Sequence, residues 1–519
     1  MSLTPIPSSH KPFNRSAYFH LPLALGLLAT VYIHPALAAS ETAPTTTQTT
    51  QSSDLNSSDS LDNQQFQACL DELAQSDAFA SVQTTFNQYR PMTADPSVIK
   101  ALNYQPEFRK QPWDYLASLV DLERVNDGIA ASERYADILQ GIEEQYGVNR
   151  YDVLGVWGVE SDFGTKLGQK DVINSLATLS CFDRRQSYFR GEYASALKIL
   201  QNGDINAEDF KGSWAGAFGQ TQFMPATFLE LAQDFDGDGR KDLVNSQADA
   251  LASTANFLKK RGYQANQPWG YEVRLPADLE ASSDRKNKQP MSHWRSLGIT
   301  LPDGRPLPDD LAQAGLLLPA GAEGPAFLVG RNFDAFYAYN ASENYALAIG
   351  HLSQLIAQKS NQVSFATPWP TDDPGLSRKQ SREVQQALHD LGYDIGEVDG
   401  FIGDGTRKAI QQYQTDNNLE ADGKAGQKIY QHLMQAVEKL PNRQSPAAIS
   451  DDASQMSAPT QTASGASDGQ NIDGSSPENE DSSASSSRLL PSKGVMAIII
   501  SLLILLSIIL VNKFKRPKP

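Results

Sequence analysis

Apolar residues first recur with helical spacing at Phe66, Leu70, Leu73 and Ala74, then at Leu116, Val120, Leu122 and Val125. Returns after three or four residues predict helices with one buried stripe. Further amphipathic runs cover Ala136–Tyr146, Ser187–Leu200, Ala226–Gln233 and Ala248–Lys260. From about residue 270 the pattern shortens to strand-like pieces, Tyr271–Leu275, Leu316–Leu318 and Ala326–Val329, before helix returns over Ser342–Ala357. Residues 61–365 therefore predict a mainly α domain with a small β insertion. A smaller piece, 377–436, contains an internal repeat: Asp399-Gly400 and Gly403 precede a helix over Thr406–Asn417, and Asp422-Gly423 and Gly426 precede one over Gln427–Leu433. Asp-Gly pairs supply tight turns, and with Arg382–Leu391 the piece predicts three short helices.

The flanks lack this periodicity. Lys11 and Arg15 precede an apolar stretch, Leu21–Ile33, and Ala36-Leu37-Ala38 is an A-x-A site, so 1–38 predicts a secretory signal peptide. Residues 39–60 are rich in Ser, Thr and Gln and predict a disordered linker; 441–493 are rich in Ser, Ala and Asp and predict a solvated tether. The apolar run 495–511, followed by Lys513, Lys515, Arg516 and Lys518, predicts a single-pass transmembrane helix with 512–519 as a cytoplasmic tail. Everything between would then lie on the periplasmic face of the inner membrane. In an oxidising compartment Cys69 and Cys181 can pair, although their separation is not readable from sequence.

Composition removes several function classes. The 519 residues carry 44 Lys+Arg against 61 Asp+Glu, a net charge of −17, which argues against a nucleic-acid backbone as ligand. Two cysteines build neither a disulfide scaffold nor a cysteine-rich metal site.

Three runs carry candidate chemistry. In Val153–Gly164 a single acid, Glu160, closes an apolar helical run just before a Gly-bounded turn. A carboxyl so placed loses water, its pKa rises, and it keeps a proton to give to a glycosidic oxygen. A helix-terminal Glu satisfied by backbone or Arg is the alternative. Gly212–Pro225 combines small residues, two amides and aromatics, fit for a groove floor or for a tightly packed helix-turn. Asp234, Asp236, Asp238 and Gly239 occupy positions 1, 3, 5 and 6 of an EF-hand loop, but Asn245 stands where that loop has a bidentate Glu; Asp249 could supply the missing carboxylate.

Together, Trp157-Gly158-Val159-Glu160, Ser175–Leu179, Arg184-Arg185 with Tyr188-Phe189, the Gly212–Pro225 run, the Asp234–Asp242 loop and Tyr339-Asn340 resemble the lytic murein transglycosylase B family. Residues 377–436 resemble the peptidoglycan-binding module found on many wall enzymes. The resemblance implies a lysozyme-like, α-rich catalytic domain with an EF-hand-like loop. It implies cleavage between N-acetylmuramic acid and N-acetylglucosamine to give 1,6-anhydromuramic acid, with Glu160 as single general acid and base. Tyr115, Tyr188, Ser213, Gln222, Tyr339, Asn340 and Tyr345 would bind substrate. Structural calcium would be held by Asp234, Asp236, Asp238, the Arg240 carbonyl and Asp249, with no organic cofactor. The implied partners are peptidoglycan glycan strands and, through the C-terminal helix, the inner membrane. Two features depart from the pattern: Phe257 stands where the family often has Tyr, and there is no lipobox Cys. The rival readings are a muramidase that hydrolyses the same bond, with Asp162 as second carboxylate, and a wall-binding scaffold without turnover.

Overall fold

The computed structural model describes residues 54–102 and 110–440. Helix α1 (Asp54–Ala74) starts within the span read as linker, and the predicted stripe of Phe66, Leu70 and Leu73 is buried on it. A 3-10 turn leads into α2 (Gln83–Tyr89) and α3 (Pro96–Leu102), and α4 (Pro112–Leu119), α5 (Leu122–Arg134) and α6 (Ala136–Tyr146) follow. Helix α7 (Arg150–Ser161), capped at its start by the Asn149 side chain, runs through the centre. A two-residue strand β1 (Lys170–Asp171) then precedes α8 (Val172–Phe182) and α9 (Gln186–Asn202), and β2 (Lys211–Gly212) pairs antiparallel with β1. After α10 (Pro225–Leu231) and α11 (Gln247–Lys260) the chain enters the β insertion.

That insertion is an antiparallel sheet in the order β3 (Gly270–Val273), β6 (Ala326–Val329), β5 (Gln313–Leu317), β4 (Asp284–Pro290), with the short α12 (Met291–Ser296) following β4. Alternate side chains of a strand face opposite sides, and β6 uses both. Phe327 and Val329 join the main core, while Ala326 and Leu328 join a separate cluster with Met291 and Trp294. Helices α13 (Arg331–Asn340) and α14 (Glu343–Ala357) return the chain to the main core.

Two glycines set how closely α7 and α14 meet. A Cβ on Gly155 would lie 2.8 Å from the Ile349 carbonyl, and one on Gly158 would lie 2.9 Å from Leu352 Cδ2. Larger residues would push the helices apart and displace Glu160, which sits two residues after Gly158.

The smaller piece forms α15 (Arg378–Asp390), α16 (Asp404–Asp416) and α17 (Gln427–Glu438) around Val384, Leu388, Ile410, Tyr413 and Leu433. Its repeat has a structural basis. Gly400 and Gly423, both at positive φ, donate their N–H groups to the buried amides Gln385 (2.7 Å) and Gln414 (2.8 Å) of the preceding helices. Each tight turn is thus satisfied internally, which helps so few residues hold a defined shape.

One expected element is corrected. Among the described residues no helix is long and apolar enough to cross a membrane. The span 495–511 lies outside the described residues, as do 1–53, 103–109 and the stretches 441–493 and 512–519. At 17 residues the run is at the short end of what spans a bilayer. The described residues form an α-rich fold with a small sheet and a three-helix module, and no transmembrane element is found among them. The single-pass anchor, and the position on the inner membrane that rested on it, are not carried forward.

Candidate active site

Glu160 lies in the last turn of α7, partly buried. The Tyr345 hydroxyl, brought by α14 from 185 residues away, donates to Glu160 Oε1. Burial raises the Glu160 pKa to about 7, and the Tyr345 bond, which favours the carboxylate, opposes that rise. The group therefore exchanges a proton near neutrality. Asp152, earlier on α7, is also raised, to about 6, by burial. It is engaged, however, by Ser353 Oγ and by Tyr263 Oη (2.5 Å), and so ties helices together.

The backbone after Glu160 is unusual. Asp162 and Phe163 both have φ of 55°, left-handed values that non-glycine residues adopt at a cost of about 1–3 kcal/mol each. Ser161 Oγ donates to the Gln220 carbonyl (2.5 Å) and accepts from Gly164 N–H (2.9 Å), joining this turn to the Gly212–Pro225 run. That run is a small bridged loop rather than a helix-turn, pairing Gly212 with Phe218 and Phe218 with Phe223. Gln222, another left-handed residue (φ 51°), donates through Nε2 to the carbonyls of Leu167 (3.1 Å) and Gly219 (2.8 Å). Its amide hydrogens are thereby committed, and its carbonyl oxygen is the atom left for a ligand.

The other expected site residues separate into groups. Tyr345 and Tyr339 stack at 6.2 Å, and the Tyr339 hydroxyl donates to the Thr221 carbonyl (2.6 Å), so Tyr339 supports the wall behind Tyr345. Phe257 packs on Tyr339 with ring centroids 4.6 Å apart. Tyr115, on α4, lies within electrostatic reach of Tyr345. Ser213 Oγ accepts from Ala217 N–H (3.1 Å) and shapes its own loop. Tyr188, on α9, is 46% exposed, meets Phe189 edge-to-face and lies beside Arg185. Asn340 ends α13 as an exposed residue.

Asp162 is not a free second carboxylate. Arg378 Nη1 reaches its two oxygens at 2.5 and 2.6 Å, and Arg124 Nε reaches Oδ1 at 3.1 Å, all in a buried setting. Sequence reading missed both arginines, because Arg378 belongs to the three-helix module, 216 residues away. Volume alone would misplace the site. A cavity of about 930 Å³ lies among α4, α5, residues 363–375 and the module, and Glu160 does not line it. A second, about 760 Å³, is lined by Ser342, Glu343 and Asn344, next to Tyr345. The shifted acid and its partner, rather than volume, make Glu160 the candidate.

In the acidic loop, one oxygen each from Asp234, Asp236 and Asp249 lie within 4.8 Å of one another. Oxygens sharing one calcium ion at 2.3–2.6 Å are at most about 5 Å apart, so the three fit a single ion. Asp249 is fully buried and accepts backbone N–H groups from Phe235, Asp236 and Asp242. Asp238 stands outside this trio and accepts from the Arg240 N–H (2.8 Å).

Residues 62–354 match the family described as transglycosylase SLT domain, and residues 377–433 match a peptidoglycan binding domain. The membrane-bound lytic murein transglycosylase B of Escherichia coli (strain K12) is 32% identical over 248 residues, covering 47% of this chain and 66% of that protein. The chain thus spans about two thirds of that relative. Among solved structures, SltB3 from Pseudomonas aeruginosa in complex with NAG-anhNAM-pentapeptide is 42% identical, with TM-score 0.55, covering 71% of this chain and 99% of that one. The same protein in complex with NAG-NAM-pentapeptide is 43% identical, again with TM-score 0.55 and coverage of 71% and 99%.

Proposed function

The chain belongs to the family of the transglycosylase SLT domain, and from that membership we propose that it is a peptidoglycan lytic transglycosylase with Glu160 as its only acid and base. The observation that carries this reading is one carboxyl with its pKa near 7, held by Tyr345, while the neighbouring Asp162 is consumed by two arginines. Protonated Glu160 gives its proton to the oxygen between N-acetylmuramic acid and N-acetylglucosamine as the C1–O bond breaks. The substrate's own acetamido oxygen closes on C1, so the protein needs no second carboxylate; substrate-assisted sites lie outside the two-carboxylate rule. Glu160, now ionised, takes the proton of the C6 hydroxyl, O6 displaces the acetamido oxygen at C1, and the 1,6-anhydro ring closes. No water is consumed.

Tyr345 orients the carboxyl and Tyr339 backs it. The free Gln222 carbonyl oxygen suits the acetamido N–H, and Ser213 and Tyr115 line the same cleft. Tyr188 lines the cleft as well, and Asn340 closes the catalytic subsite with Tyr339 and Tyr345. The test is mass spectrometry of soluble products from purified sacculi. Anhydro-muropeptides, lighter by one water than hydrolysis products, are expected; reducing-end products would make the enzyme a muramidase.

Calcium is assigned a structural role. Asp234, Asp236 and Asp249 would hold the ion, with Asp238 and the Arg240 carbonyl completing the loop, and its charge would offset the crowded carboxylates. A ligand bound only by the folded state adds about 4 kcal/mol at a thousand times its Kd. Chelation is therefore expected to lower the thermal midpoint, and Asp234→Asn to remove most of that difference. A midpoint indifferent to chelator would sink the assignment.

A further inference from the structure

We propose that Arg378, on the peptidoglycan-binding module, is a positioning residue for the active site, so that the docked module completes the catalytic geometry. The proposal rests on the reading of Glu160 above. Arg378 opens α15 and reaches across to three carboxylates of the catalytic domain: Asp121 (3.0 Å), Asp127 (3.1 Å) and Asp162 (2.5 Å). Arg382, one turn later, pairs with Glu123 at 2.6 Å. Asp121 also caps α5 by accepting the Arg124 N–H, and Arg124 in turn reaches Asp162. Burial works against ionised Asp121, and the Arg378 bonds outweigh it, holding the carboxyl below its usual range.

The contact matters because of where Asp162 sits. It is the left-handed residue that ends α7, two positions after Glu160, and Phe163 repeats the left-handed φ. A turn of that kind persists only where its surroundings over-determine it. Here hydrogen bonds within the turn are joined by two guanidinium groups on the Asp162 carboxylate, and one of these belongs to the module. On either side of Asp162 the same segment supplies the Ser161 hydroxyl that holds the Gln220 backbone and the Leu167 carbonyl that holds Gln222. Releasing Arg378 leaves Asp121, Asp127 and Asp162 with Arg124 and, more loosely, the exposed Lys166, whose Nζ lies 3.9 Å from Asp162. The turn loosens, and with it the placement of both Glu160 and Gln222. A misplacement of about 1 Å costs up to about 100-fold in rate.

The experiment compares Arg378→Ala, Arg378→Lys and Arg382→Ala in the full chain, measuring kcat and KM on soluble glycan strands together with thermal midpoints. Arg378→Ala is expected to lower kcat on the order of 10- to 100-fold with KM little changed. Arg378→Lys should recover part of it, since an ammonium restores the charge but not the fork. Arg382→Ala, which breaks only the Glu123 pair, should leave kcat near that of the unmutated protein. Unchanged kcat in Arg378→Ala overturns the proposal. So does an equal loss in Arg382→Ala, which would reduce the contact to docking alone, or a loss that follows the thermal midpoint without rescue by Lys. An unmutated protein making no anhydro products would instead overturn the Glu160 reading, and the proposal with it.

Discussion

Glu160→Gln is expected to reduce release of anhydro-muropeptides by between about 10²- and 10⁴-fold, the usual contribution of general acid–base catalysis. The amide keeps the shape of the side chain but neither gives nor takes the proton. The pH profile should show the same group. Catalysis begins with protonated Glu160, whose pKa is raised to about 7, so kcat/KM should fall about tenfold per pH unit above that value. Tyr345→Phe removes a bond that favours the carboxylate, so the alkaline limb should move upward as the rate falls. Stability supplies a check that the loss is chemical. A carboxyl at 4.5 in the unfolded chain and about 7 in the folded one binds more protons when folded. Its ionisation therefore costs stability progressively as pH rises through that window. Glu160→Gln escapes the cost and should melt higher than the unmutated protein above neutrality, the difference shrinking in acid. A variant that is inactive and also melts lower at all pH values would mean that Glu160 holds the fold together, and the catalytic assignment would fall.

The parts legible in the sequence are those where a local pattern and the tertiary environment ask for the same thing. Phe66, Leu70 and Leu73 form a stripe because one face of α1 is buried, and the strand Ala326–Val329 is continuous and apolar because both its faces are covered. Strand β4 is polar up to its last residue, Pro290, and its buried member, Arg285, lies over the Tyr337 ring and pairs with Asp334 and Glu343. No alternation of apolar and polar residues announces such a strand. The same limit holds at the site. The sequence around Glu160 allowed a catalytic acid or a satisfied helix end, and what separates them is Tyr345, brought by α14 from the far side of the chain. Asp162 read as a spare carboxylate for the same reason: its arginines come from other elements, one from a different domain. The acidic loop stood out in the sequence because most of its carboxylates are local, yet the clustered oxygens are those of Asp234, Asp236 and Asp249. Helix α11 folds Asp249 back into the loop, while Asp238 turns to the Arg240 N–H.

Replacing Cys69 and Cys181 together by Ala is expected to produce the largest loss of stability of any change remote from the active site. The two cysteines form a disulfide between α1 and α8, their Cα atoms 5.9 Å apart and 112 residues apart in sequence. Closing a loop of that size in the unfolded chain removes conformational entropy worth about 4–5 kcal/mol in the loop-closure account. Helix α1 has other ties to the domain: Phe66 stacks on Phe182 at 6.1 Å, and Arg90 pairs with Asp71 at 2.7 Å. The native structure should therefore survive the substitution, with the penalty arising in the unfolded ensemble. Because Glu160, Tyr345 and the Asp162 turn draw no contact from either cysteine, turnover at low temperature should be unchanged while the denaturant midpoint falls. Reduction of the unmutated protein should reproduce that fall, and the Ala/Ala variant should not respond to reductant. If the variant keeps its midpoint but loses turnover, loop closure is the wrong account, and α1 would instead be acting on the active site through α8.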